Sequence, residues 1–345
     1  MKENPKKNYF TLFIILIILI LLSFYILKDN SSEEDFSNQE NINSSIFLKQ
    51  NMEEITLTGF TRPFGINIYN ENIYIADFGG RNILIYNKDY NLIKEIKPGI
   101  DILKAPHSID FDVKGNWYVT DFQNKKIQKF SKEGEFLETL VDEAYLKGPA
   151  TTYFDNNGNL LVSDYASNAL LKFTSKGDFI GWIGAKSDGT FTNGWEKNLE
   201  KSIGSASPNG FDRLHYALDD SKGDVYVADT WNNRIQKFSE EGKFIGWIGA
   251  KSNGTFTNGW EKTGTAIASS EQRGFNTPVA LDITNNDELI IFEFNNGRIQ
   301  KFSKEGKFIS VLATGFNQGY DVKFRDNKLY VVDTGNNQIK IINLF

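Results

Sequence analysis

One phrase recurs along this chain. An acidic residue ends a short apolar run, and an Ile or Leu follows six positions later. The acids are Asp77 (IADFGGRNI), Asp121 (VTDFQNKKI), Asp164 (VSDYASNAL), Asp229 (VADTWNNRI), Glu293 (IFEFNNGRI) and Asp333 (VVDTGNNQI). Six copies that keep both spacing and chemistry define a repeat, which restricts the chain to architectures built by stacking one unit. Successive acids lie 44, 43, 65, 64 and 40 residues apart. The basic unit is therefore 40 to 44 residues long, and two units carry an insert of about twenty.

Each unit divides into four short strands. In the fourth, YALDD, VYVAD, RIQKF and FIGWIG are separated by SKGD, TWNN and SEEGK, whose Gly, Asn, Asp and Ser suit tight turns. VYVA is apolar on consecutive positions, whereas a strand with one wet face alternates. Both faces are thus expected to be covered, as when four-stranded sheets pack face to face around an axis. This is an all-β, six-bladed β-propeller of antiparallel blades. The last unit supplies only three strands, QGYDVKF, KLYVVD and QIKIINLF. Closure is therefore expected from EITLT (Glu54 to Thr58), which would pair into the final blade and remove the exposed edges at the seam.

The run GDVYVADTWNNRIQKF and its five relatives resemble NHL repeats, a family of six-bladed propellers. The resemblance covers residues 54–345, with departures at Ala169, where Arg or Lys is usual, and at Glu293. It implies architecture and leaves activity open, because one fold hosts many functions. Some animal NHL proteins bind RNA, and a related peptide-amidating lyase holds zinc with channel histidines. With a net charge of −6 and only His107 and His215, this chain is expected to do neither.

Ahead of the repeats, FTLFIILIILILLSFYIL (Phe10 to Leu27) is an uncharged run long enough to span a bilayer. Lys2, Lys6 and Lys7 precede it, so residues 1–9 are expected in the cytoplasm and everything after Leu27 outside. A cleaved signal peptide would need small residues before the cut, which SFYILKDN does not offer. Residues 28–53 read as a polar tether. With no cysteine, disulfides, a lipid-modified Cys and a thiol nucleophile are excluded.

If each first strand starts at the top of the wheel, the links between second and third strands and those between blades gather there. Aligned first strands place Phe64, His107, Ala150, His215, Val279 and Tyr320 around the channel mouth, preceded by Arg62, Lys104, Lys147 and Arg213. His107 and His215, on blades two and four, are expected to face each other across the channel without touching. Trp231 lies in a top bend. The inserts open almost identically, FIGWIGAKSDGTFTNGWEK and FIGWIGAKSNGTFTNGWEK, and are also expected on top. Their Trp182 and Trp247 read as packing residues. Trp195 and Trp260, in Gly- and Asn-rich loops, read equally as packing residues or as a surface for stacking ligands. The six repeat acids read as structural acceptors for the bend that follows each of them. DNNGN at Asp155 to Asn159 reads as a turn because it lacks the closing Glu of a calcium loop.

No metal, cofactor or nucleic-acid partner is expected. The first expectation is a membrane-anchored extracytoplasmic protein that binds a protein, peptide or glycan on its top face through Arg62, Phe64, Lys104, His107, Trp195, Arg213, His215, Trp231, Trp260 and Tyr320. The alternative is a lyase or hydrolase working at the channel mouth.

Overall fold

The computed structural model describes residues 54–344; the tail, span and tether expected over residues 1–53 lie outside the described residues. Six antiparallel sheets of four core strands form the wheel. Blade four shows the common plan: Tyr216–Asp219 innermost, then Val225–Asp229, Arg234–Phe238 and Phe244–Ile248. The second strands of blades two to five are buried at every residue, and those of blades one and six at all but the first. Consecutive apolar residues there pack against neighbouring blades on both faces.

Closure follows the expected route. Glu54–Leu57 pairs antiparallel with Gln338–Asn343, setting Leu57 opposite Ile339, so the sixth blade is completed from the N-terminal side of the repeats. The seam is also bonded at the centre, where Thr334 Oγ1 donates to the Pro63 carbonyl at 2.7 Å and the Ile66 N–H donates to Asp321 at 3.0 Å.

Innermost strands have a general difficulty, because one edge of each faces the channel with no strand to pair it. Side-chain oxygens from the preceding blade supply the missing acceptors. Ser108 Oγ receives Thr152 N–H, Asp110 receives Phe154 N–H and Asp282 receives Phe324 N–H. Gly65 lets two such strands approach, since a Cβ there would stand 2.4 Å from the His107 carbonyl oxygen. Lower in the channel, the buried Lys323 ammonium reaches from blade six to the Tyr216 hydroxyl at 2.6 Å and also bonds Asp321 at 3.1 Å.

The six repeat acids are all buried and bind more than the following bend. Each accepts an N–H from the segment that enters its own blade's first strand. Asp77 takes those of Thr61 and Arg62, Asp121 those of Lys104 and Ala105, and Asp164 those of Lys147 and Gly148. Asp229, Glu293 and Asp333 take Asp212, Asn276 and Asn317 N–H. The bend is held too, as by the Gly80, Asn124 and Ser167 N–H groups. In blade four Arg234, fully buried, donates to Asp229 at 2.7 Å, and Arg298 stands in the same relation to Glu293 in blade five. Ala169 forgoes this pair, and Asp164 keeps the Lys147, Gly148 and Ser167 N–H groups as partners.

The inserts lie only partly where expected. The first half of each turns back along the outer edge of its blade, and the second half returns to the top, where the Ser205 and Ser269 carbonyls accept from Asn232 and Asn296 in the bends after the repeat acids. Trp182 and Glu196 exchange backbone bonds at 3.0 and 3.1 Å, and Trp247 and Glu261 do so at 2.8 and 2.9 Å. The edge is covered as a result. The outermost strand LIKEI of blade one is exposed at four of five positions, whereas FIGWI in blade four is half-buried or buried throughout. Trp182 and Trp247 are fully buried as packing residues, their indole N–H groups donating to Asn198 and Thr263 carbonyls. The Asp155–Asn159 segment is a turn, as expected.

Two substitutions test these contacts. Leu57→Ala weakens the closing strand and is expected to cost about 2–3 kcal/mol. Asp229→Ala leaves Arg234 buried without its counter-charge and is expected to cost roughly 3–5 kcal/mol. Both are read as shifts in the urea midpoint.

Candidate functional site

The top of the channel is closed by rings. Phe64, His107, His215 and Tyr320 all occupy the position just before the regular first-strand pairing. Phe64 stacks on Tyr320 with centroids 4.1 Å apart and meets His107 at 4.8 Å. His107 and His215 are 5.0 Å apart, and Tyr320 lies 5.5 Å from His215. The two imidazoles therefore pack together, correcting the expectation that they stay apart across an open channel: six inner strands converge closely enough for side chains to fill the mouth. Ala150 and Val279, at the remaining positions of the layer, are also buried.

Burial sets the histidine chemistry. Desolvation holds His215 down at about 4, so its ring is neutral near pH 7. Its Nδ1 lies 2.9 Å from the Val279 carbonyl, which requires a proton on Nδ1 and leaves Nε2 as an acceptor. His107 is held well below the ordinary value by burial, then by His215 and by Arg62. Its Nδ1 is buried with no hydrogen-bond partner. Burial also pushes the Tyr320 phenol up, so it stays protonated as a potential donor.

Around this floor stands a collar that the sequence reading missed. Phe78, Phe122, Tyr165 and Phe294 are the residues directly after four of the repeat acids, and all are half-buried. They touch the floor: Phe78 lies 4.6 Å from Phe64, Phe122 5.8 Å from His107, Tyr165 6.3 Å from His215 and Phe294 5.2 Å from Tyr320. The signal was present in the repeat alignment as an aromatic following the acid. Thr230 and Thr334 hold that position in blades four and six and donate to Pro278 and Pro63 carbonyls instead.

Cations complete the site. The Arg213 guanidinium lies 3.9 Å from the centre of the half-exposed Trp231 ring and 5.6 Å from that of Tyr165. Arg62 lies 5.0 Å from Phe64 and 5.8 Å from Phe78. Blades one and four are opposite each other in a six-membered wheel, so these cations stand on opposite sides of the floor. Lys104 and Lys147 are exposed farther out. Among the described residues neither arginine has a carboxylate partner.

Trp195 and Trp260 do not join this group. The Trp195 indole donates to the Glu240 carbonyl and that of Trp260 to the Lys304 carbonyl, both in turns between third and fourth strands on the underside. Each clasps the next blade. Gly181 and Gly246 admit them, because a Cβ there would stand 3.0 and 2.7 Å from the Cβ atoms of Trp195 and Trp260. The underside also carries a cleft of about 700 Å³ between blades two and three, bordered by Tyr118, Phe154, Lys114 and Lys176.

The NHL repeat family model matches residues 217–238, the first three strands of blade four. No curated protein matches the chain. Solved structures are similar across the wheel. Virginiamycin B lyase from Staphylococcus aureus is 14% identical, with TM-score 0.56 over 86% of this chain and 100% of its own. A protein of unknown function from Bacteroides thetaiotaomicron VPI-5482 is 13% identical, with TM-score 0.60 over 85% and 76%. A putative gluconolactonase is 14% identical, with TM-score 0.56 over 85% and 92%. At such identities the likeness establishes the fold: a six-bladed propeller carrying an NHL repeat.

The histidine floor generates a pH prediction. Because the folded ring of His215 resists protonation, its contribution is complete above the unfolded value near 6.5 and is lost as pH falls towards 4. The loss amounts to roughly 3 kcal/mol. His107→Phe, which copies the residue of blade one at this position, is expected to make the fall in stability between pH 6.5 and 4 shallower, as measured by urea unfolding across that range.

Proposed function

We propose that this chain is a membrane-anchored extracytoplasmic binding protein whose top face receives a peptide or protein segment. The carrying observation is the pair of arginines, Arg62 and Arg213, set over aromatic rings on opposite sides of the mouth without acidic partners. A guanidinium that stacks on a ring and lacks a counter-ion keeps its N–H edge available to an incoming acceptor. Half-buried rings from five blades add apolar contact of the kind that concentrates binding energy. A glycan could stack on such rings, but the unpaired cations favour a ligand bearing negative charge. The apolar run Phe10–Leu27, with Lys2, Lys6 and Lys7 before it, supports the anchored, outward-facing topology.

A second reading is favoured by the imidazole pair. A neutral His215 with Nε2 free to accept, beside a protonated Tyr320, could serve as base and acid in a lyase or hydrolase reaction. The similar lyase and gluconolactonase propellers lend this weak support.

Capture of outer-surface peptides and proteins on the immobilised chain separates the readings. The binding reading expects retention to fall at least tenfold in Arg62→Ala with Arg213→Ala, and to persist in Trp195→Ala, whose ring is on the underside. Retention that ignores both arginines overturns it. Turnover of a bound partner, abolished by His215→Ala while capture survives, establishes the enzyme instead.

A further inference from the structure

Arg213 is more rigidly placed than a surface arginine has reason to be. Its backbone adopts a left-handed φ of 52°. Its N–H donates to Asn168 Oδ1 at 2.7 Å, and the neighbouring Asp212 N–H is held by the repeat acid Asp229 at 2.8 Å. Trp231, whose ring underlies the guanidinium, is itself tied by its N–H to the Asp212 carbonyl. Stacking at 3.9 Å occupies a face of the guanidinium, so the group can bond a ligand only through its in-plane N–H edge. Its one polar side-chain contact, to the Tyr165 hydroxyl, is long at 3.4 Å.

Beside this edge lies the Tyr165 ring, 5.6 Å from the guanidinium, with Phe122 and then the His215 and Tyr320 rings of the floor continuing the aromatic surface from it. A single guanidinium edge matches one carboxylate in charge and in fork geometry.

We infer that the top face selects an aromatic ring with a free carboxylate next to it, the chemistry of a peptide ending in Phe, Tyr or Trp. The carboxylate pairs with Arg213, and the ring packs on the collar. The inference rests on the binding reading and supplies its specificity. A small aromatic acid carries the same chemistry, so the test includes both sources.

The full-length chain is titrated calorimetrically with N-acetyl-Ala-Gly-Phe, its C-terminal amide, N-acetyl-Ala-Gly-Leu and phenylacetate. The free-acid Phe peptide is expected to bind at least tenfold more tightly than the amide and the Leu peptide. Arg213→Lys, which keeps the charge but loses the fork and the stacking, is expected to weaken it about tenfold, with an unchanged thermal melt as the folding control. Phenylacetate binding as tightly as the peptide assigns the site to small aromatic acids. Much weaker binding of phenylacetate assigns it to peptide C-termini. If the amide binds as well as the acid, or Arg213→Lys changes nothing, this inference is overturned while arginine-dependent capture of peptides still stands. If no peptide or protein is captured at all, the binding reading fails with it.

Discussion

The wheel depends on a buried carboxylate used six times. Each repeat acid ends a second strand, and it accepts N–H groups both from the bend ahead of it and from the segment entering its own first strand. Charge-assisted bonds of this kind contribute more than neutral ones, and a buried N–H left without an acceptor is expensive. The same carboxylate therefore folds the bend and aims the rim. Arg62, Lys104 and Lys147 are held through their own backbone N–H groups, and Arg213 through that of its neighbour. Structure and candidate site share one set of bonds.

That sharing explains why the mouth is dense rather than open. With the rim segments drawn in by the acids, the four rings of the floor, the Phe64–His215 pair excepted, approach to between 4.1 and 5.9 Å of one another. Two imidazoles in that packing lose their hydration and stay neutral. The cations escape the same fate by lying over ring faces at the edge of the layer, where solvent reaches them. The result is an apolar, uncharged centre flanked by positive charge.

Much of the architecture was legible because it is periodic. The spacing of acids and of the Ile or Leu after them reported six units, the unbroken apolar second strands reported coverage on both faces, and the missing outer strand pointed to Glu54–Leu57. The site was legible only in part. The first-strand alignment found Phe64, His107, His215 and Tyr320, but the collar residues Phe78, Phe122, Tyr165 and Phe294 escape it, because they sit in the bends after the acids and two blades carry Thr there, which breaks the aromatic pattern. Trp195 and Trp260 misled for a different reason: an insert in a polar loop has no periodicity, and its course depends on which edge remains unpaired. The outer strands of blades three and four offered such edges, and the inserts took them.

Local chemistry repeated at a fixed interval was enough to determine the number of blades, their strand order and the way the ring closes, since each unit solves the same hydrogen-bonding and burial problem. What only the tertiary structure decided is which side chains from different blades meet. The contact of His107 with His215, the placement of Arg62 and Arg213 on opposite sides of one floor and the clasp of Trp195 on the next blade join residues far apart in sequence. Such meetings follow from the radius and tilt at which six sheets pack, and no single repeat encodes them.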